Sequence, residues 1–242
     1  GAVLALFDLT AVRRLEAVRR DFVANVSHEL RTPLTVIGGF AETLQADDVT
    51  LEDRRQFAQR ILGNTQRMQR IVDDLLDLSR IESGGWVPNP ATVDLGEVAA
   101  DVLAAARDAA NAKGLALVAE IAPDAGTVFA DETALRQVLG NLIDNGVRHT
   151  STGSVTLFSR ADTRGVSLGV RDTGSGIAPA HLSRIFERFY RADPGRARDQ
   201  GGTGLGLAIV RHLVEAHGGR VTAESKLAQG TTISVVFPAR RG

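Results

Sequence analysis

The sequence predicts an α+β multidomain protein, a long helical hairpin followed by an α/β sandwich. Three observations predict it. Residues 11–83 carry two long amphipathic helical patterns joined by one short turn. Beyond Pro88 and Pro90 the pattern changes to short apolar runs alternating with helical segments. The length, 242 residues with 43% hydrophobic content, suits one or two domains with real cores.

Taken in order, residues 1–10 read as a short apolar strand with a polar stop. Nothing nearby pairs with it, so it is expected to be the edge of something larger. From about 11 to 46 the pattern is helical, with Leu15, Val18, Phe22, Val26 and Leu30 at three- and four-residue spacing. Asp47-Asp48-Val49-Thr50 is a turn, and Thr50 with Asp53 has the spacing of a capping box, Asp standing in the Glu position. A second helix runs to about Ser83 on a stripe of Phe57, Ile61, Met68, Ile71, Leu75 and Leu78, and Gly84-Gly85 ends it. A lone hairpin has too little core. Two of them paired as a four-helix bundle would bury both stripes, so a homodimer is expected.

Trp86 to Pro90 reads as a linker. An Ala-rich helix follows from Leu95 to Lys113, stopped by Gly114, then a strand from Leu115 to Ile121. Asp131 caps a helix to about Arg148. Strands are expected near 154–160 and 166–171, then a long loop, a helix over about 204–217, and strands at 220–225 and 231–237. A mixed sheet under helices is the expected sandwich.

Composition excludes several classes. There is no cysteine, so disulfides, thiolate metal sites and cysteine nucleophiles are out, which fits a reducing compartment. The net charge of -1 gives no global reason to expect nucleic acid or an anionic membrane as partner. No apolar run is long enough to span a bilayer, and no signal-peptide pattern is present. There is no P-loop motif. Of the 28 basic residues only Lys113 and Lys226 are lysine, so a cationic grip on phosphate would be mostly guanidinium.

Four segments carry chemistry. In Ser27-His28-Glu29-Leu30-Arg31-Thr32-Pro33-Leu34, a zinc-protease reading fails because Thr32 stands where a second histidine would be needed. Thr32 shares a helix face with His28, and Pro33 should bend and loosen the turn below it. If Glu29 accepts the Nδ1 proton, Nε2 keeps an exposed lone pair suited to nucleophilic attack. The alternative is a surface histidine beside a helix-breaking proline. In the second segment Asn141, Asn145 and Arg148 share one helix face. Asparagine oxygens are hard neutral ligands suited to Mg²⁺ that already carries phosphate, and an interhelical hydrogen-bond pair is the alternative. In the third, Asp172-Thr173-Gly174-Ser175-Gly176-Ile177 at a strand end, Asp172 can accept from an exocyclic amine such as that of adenine, while Gly174 and Gly176 let backbone approach the base. An ordinary Asp-Gly turn is the alternative. In the fourth, Gly201-Gly202-Thr203-Gly204-Leu205-Gly206-Leu207 opens a helix whose bare N–H groups form an anion nest. The preceding loop holds Phe186, Arg188, Phe189, Arg191, Arg196 and Arg198, which suits triphosphate and equally suits a solvated loop. His149, His181, His212 and His217 have no metal spacing and read as structural or surface residues.

In this order the motifs resemble those of the sensor histidine kinases of two-component signalling. The His28 segment is similar to the H box, Asn141 to Asn145 to the N box, Asp172 to Ile177 to the G1 box, Phe186 to Tyr190 to the F box and Gly202 to Gly206 to the G2 box. The resemblance covers about residues 11–238. It implies a dimerising hairpin with phosphotransfer histidine over 28–85, a linker at 86–92 and a Bergerat-type ATP-binding domain over 93–242. It also implies a signalling helix over 11–27 and, at 1–10, the last strand of a missing PAS-like sensor. ATP and Mg²⁺ are the implied cofactors, with adenine on Asp172, Mg²⁺ on Asn145, and phosphate on Gly202, Gly204 and Gly206 with Thr203, Leu205 and Arg191. His28 would be the phosphoacceptor, Glu29 its base or orienter, and Thr32 the residue that positions water for phosphatase activity. The implied partners are a response-regulator receiver domain and a second copy of the chain, without nucleic acid or membrane contact in this fragment. The implied setting is cytoplasmic, with a parent protein that can be anchored in the inner membrane. Arg148 and His149 stand where Lys and Tyr are more usual, and Gly146 where Ala is frequent. A gyrase-like ATPase of the same sandwich is the alternative class. Its catalytic Glu lies on the N-box helix, where this chain offers Asp144. A scaffold that only dimerises is the third.

Overall fold

The structure, a computed structural model, describes residues 9–46, 48–192 and 202–239. The side chains of Ala11, Val12 and residues 14–19 are not described. The strand expected at 1–10 falls almost wholly outside the described residues, as do Asp47, Arg196, Arg198 and Gly201. The chain divides into two compact units, residues 1–73 and 74–242.

The first unit is the hairpin. Helix α1 spans Thr10–Thr43 with Pro33 inside it, and α2 spans Leu51–Glu82, its last turns belonging to the second unit. The cap at Thr50 forms as the spacing implied. Asp53 N donates to Thr50 Oγ1 at 3.1 Å, and the hydroxyl donates back to the Asp53 carboxylate at 2.7 Å. That differs from the usual box, where the acid reaches the cap residue's own N–H. Phe40 and Phe57 stack across the turn with centroids 5.2 Å apart. Phe22, Val26, Leu30, Phe57, Ile61 and Met68 are half-buried, as a stripe with cover on one side should be.

The second unit is an α/β sandwich. Its main sheet has the order β2-β4-β5-β7-β6 over Ala116–Ile121, Ser154–Asp162, Gly165–Asp172, Gly230–Pro238 and Arg220–Lys226. β2 runs parallel to β4 and every other pairing is antiparallel, so the sheet is mixed as expected. Helices α3 (Leu95–Asn111), α4 (Glu132–His149) and α6 (Gly206–Ala216) cover one face, and α5 (Pro179–Leu182) is a single turn. Leu157, Leu168, Val235 and Phe237 on that face are fully buried against Leu135, Leu139, Leu142 and Ile209. Alternate residues Thr156, Ser167, Thr232 and Ser234 fill the other face, which follows from the two-residue period of a strand. A two-stranded ladder, β1 (Ala91–Asp94) with β3 (Thr127–Ala130), was not expected from the sequence. Four-residue strands give too short a pattern to read.

Two caps set the helices that carry the site. Asp94 accepts from Gly96 N and Glu97 N at the start of α3, and Asp131 accepts from Ala134 N at the start of α4. Asp131 N in turn donates to His217 Nε2 at 3.0 Å, while His217 Nδ1 donates to Leu213 O at 2.7 Å. His217 is thus structural, both ring nitrogens being occupied, and it packs against Trp86 and Phe237.

Candidate active site

His28 is exposed on α1. One turn on, Thr32 Oγ1 donates to His28 O at 3.2 Å, a local bond that competes with helix geometry. Pro33 has no N–H to give Glu29 O, so the helix loses a rung just there. Glu29 does not turn toward the imidazole as the sequence suggested. Its carboxylate accepts from Arg67 Nη2 on α2 at 2.9 Å. Neighbouring side chains on a helix point about 100° apart, so Glu29 faces α2 while His28 faces water.

In the second unit, the N-box helix and the two glycine segments meet. Arg148 and Asn141 lie against the glycine loop. A Cβ on Gly202 would stand 3.1 Å from Arg148 Nη1, and one on Gly206 would stand 3.4 Å from Asn141 Oδ1. Asn141 Nδ2 is buried with no hydrogen-bond partner. An orphaned buried amide beside a bare loop is the mark of a site shaped for a ligand. Gly204, at φ +73°, backs onto Phe189, whose own φ is +59°, and Phe189 N donates to Gly204 O at 2.8 Å. A bulky residue in the left-handed region carries strain that its surroundings must hold in place. Here the F box and the glycine loop hold each other. Thr203 Oγ1 accepts from Leu205 N at 3.1 Å and donates to Asp74 Oδ2 at 2.8 Å. Leu205 is fully buried and anchors the loop at the start of α6.

Asp172 ends β5. Its Oδ1 accepts from Gly174 N at 2.8 Å and from Thr231 N at 3.3 Å, leaving Oδ2 without a partner among the described residues. Burial pushes its carboxyl above the ordinary carboxylate value, against the pull of those two N–H groups. A Cβ on Gly174 would collide with His149 O, and one on Gly176 with Lys226 O. The G1 turn therefore lies flush on the end of α4, with Ser175 N donating to His149 O at 3.3 Å. His149 keeps surface exposure, yet the protein packed around its ring pushes it down to about 4, helped by the cations Arg148, Lys113 and Arg191. Arg191 is thereby placed at this end of the site. Asn145 is half-buried on the same helix face as Asn141. Asp144 lies on another face of α4, in a groove with Asp101, Arg136 and Gly140.

Sequence reading missed four contributors. Lys113 Nζ donates to the carbonyls of Val147, Arg148 and Thr150, capping α4 where the G1 turn rests. Thr231 helps aim Asp172, and Gly230, at φ +99°, lets β7 begin against Asp172 O. The glycine in the Ala228-Gln229-Gly230 turn was the available signal. Arg67 had none.

Comparison with known families settles the affiliation. Residues 18–84 match the family described as His Kinase A (phospho-acceptor) domain, and residues 130–241 match Histidine kinase-, DNA gyrase B-, and HSP90-like ATPase. The chain belongs to the sensor histidine kinases. It is 38% identical over 240 residues to the sensor-like histidine kinase SenX3 of Mycobacterium tuberculosis, covering 98% of this chain and 58% of SenX3. It is 41% identical to the phosphate regulon sensor protein PhoR of Pseudomonas aeruginosa, covering 95% and 52%. The chain thus spans a little over half the length of these relatives. Among solved structures, the histidine kinase ShkA in complex with AMPPNP matches with a TM-score of 0.66 at 33% identity, over 89% of this chain and 45% of ShkA. Histidine kinase ThkA, solved with the response regulator TrrA, matches with a TM-score of 0.74 at 24% identity, over 93% of this chain and 63% of ThkA, and shows the same fold.

The bare glycine amides and the orphaned Asn141 amide fit a nucleotide. Among the described residues no group of three or more His, Cys, Asp or Glu could hold a metal. A Mg²⁺ held by Asn145 would take its other ligands from phosphate and water, which is how this ion is usually bound beside nucleotides.

Proposed function

We propose that this chain is a histidine kinase catalytic core that transfers the γ-phosphoryl group of ATP to His28 and then to an aspartate of a response regulator. The observation that carries the reading is the convergence of Asn141 and Arg148 on the Gly202–Gly206 loop, the buried Asn141 amide having no partner among the described residues, with the Asp172 turn resting on the end of the same helix. Asp172 Oδ2 would accept from the adenine amine, the Gly174 and Gly176 backbone lying close to the base. The amides of Gly202, Gly204 and Gly206 would bind phosphate oxygens, with Arg148 and Arg191 offsetting their charge. Mg²⁺ on Asn145 would supply charge neutralisation for the transferred group. ShkA, a relative by structure, was solved with an ATP analogue, which supports this choice of ligand.

Transfer requires His28 Nε2 to come into line with the γ-phosphorus. Positioning and electrostatics carry most of such a reaction. The exposed ring suits that approach. The bond from phosphorus to the ADP oxygen breaks as the bond to Nε2 forms. The resulting phosphoramidate is reactive enough to hand its phosphoryl group to a carboxylate. Thr32, one turn from His28, would position water for the opposing activity, hydrolysis of the phosphoryl group from the regulator. The half-covered stripes of the hairpin fit a homodimeric four-helix bundle.

Incubation with γ-labelled ATP tests the reading. Acid-labile, base-stable label is expected on the wild type and none on His28→Gln. Label that survives that substitution would sink the assignment. Thr32→Ala should retain autophosphorylation and lose regulator dephosphorylation.

A further inference from the structure

We propose that Arg67 is a positioning residue for the reaction at His28, acting through Glu29. The inference rests on the kinase reading above. Two independent features meet at Glu29. Pro33 removes the donor that Glu29 O would use in an unbroken helix, and its ring crowds that carbonyl, so the backbone is least constrained at the turn presenting His28. The Glu29 side chain restores a constraint from outside the helix, through the 2.9 Å ion pair with Arg67 on α2. The two side chains are only 11% and 23% exposed, for Arg67 and Glu29 respectively. A charged hydrogen bond so shielded from water holds its geometry better than an exposed pair.

The geometry gives the pair a lever on the histidine. In that turn Thr32 is satisfied within its own helix, whereas the Glu29 carboxylate reaches across to α2. Fixing Glu29 fixes the rotation of α1 there, and His28, one residue earlier, is held about 100° around the helix with its ring in water. On α2, Arg67 is itself held in register with Ile71, which lies one turn on and is fully buried. Losing Arg67 would remove this ion pair from a carboxylate that is only 23% exposed, at a turn already missing a rung.

The test measures autophosphorylation of the whole chain against ATP concentration. Arg67→Gln should lower kcat by about tenfold or more with KM for ATP unchanged, because Arg67 lines no part of the nucleotide site. Arg67→Met keeps the aliphatic stem and should show the same loss. Arg67→Lys, which keeps the cation, should recover to within about threefold of wild type. In a Glu29→Gln background, Arg67→Gln should add no further loss, since it acts through Glu29. Undiminished kcat in Arg67→Gln and Arg67→Met, a rise in KM in place of the fall in kcat, no recovery with Lys, or losses that multiply in the double variant would each overturn the role of Arg67. A wild-type chain that forms no acid-labile label overturns the kinase reading instead, and that outcome is seen before any variant is compared.

Discussion

The hairpin and the sandwich answer the problem of burial in different ways. In the sandwich, Leu157, Leu168, Val235 and Phe237 are sealed by helices of the same chain. In the hairpin, Val23 is 57% exposed, Leu34 57% and Leu62 58%. Apolar surface of that extent on two long helices marks an interaction face. The lesson is that the proposed nucleotide site is backed by a closed core of its own unit, whereas the hairpin leaves apolar surface that the proposed dimer would cover. Rigid support suits a site proposed to hold a charged ligand in fixed geometry. A hairpin with a proline in it suits the element proposed to receive the phosphoryl group.

Substitutions can break this contrast. The largest effect is expected from His28→Gln, which should abolish phosphoryl label while nucleotide affinity, measured by titration calorimetry, stays at the wild-type value. Next is Asp172→Asn. Replacing the acceptor that the buried turn aims should weaken ATP by about a hundredfold, while the association state of the hairpin, read by sedimentation, does not change. Leu157→Ala should destabilise the sandwich by about 2–5 kcal/mol, visible as a lower melting transition. Leu34→Glu with Leu62→Glu should do the reverse, shifting the chain toward monomer at micromolar concentration while ATP affinity is kept.

The smallest effect is a pH dependence confined to the sandwich. The folded His149 is pushed down to about 4 from an ordinary 6.5, so the unfolded chain binds its proton first as pH falls. The contribution is intact above about pH 6.5 and is lost progressively as pH falls toward 4. Asp172 has the opposite sign. Its raised value means that its ionisation opposes folding, and this is relieved as pH falls through that value. His149→Gln should therefore flatten the acid side of the melting profile, checked by thermal melts from pH 7 to 4.

Much of this was legible because the signals are local. The capping pairs Thr50 with Asp53 and Asp131 with Ala134 span three residues, and the stripe of Phe57, Ile61 and Met68 repeats within one helix. Asn141, Asn145 and Arg148 share a face by helical spacing alone, and the structure sets that face against the glycine loop. What escaped the sequence is long-range. Arg67 meets Glu29 across 38 positions, and Lys113 caps α4 from 34 positions before Val147. No periodicity or motif couples residues so far apart, because the pairing depends on how helices lie against each other.

By itself, the sequence determined the two-part architecture and supplied the phosphoacceptor candidate and the candidate nucleotide-binding residues. Hydrophobic period, caps and bare glycines act within a turn or two of helix, so they survive in one dimension. Only the tertiary structure decided where the charges go. It turned Glu29 to Arg67 rather than to His28, left Asn141 Nδ2 without a partner, and aimed Asp172 with an N–H from a strand 59 positions on. A charge or polar group settles on the strongest partner that the packed chain brings within reach, and packing is decided by the whole fold.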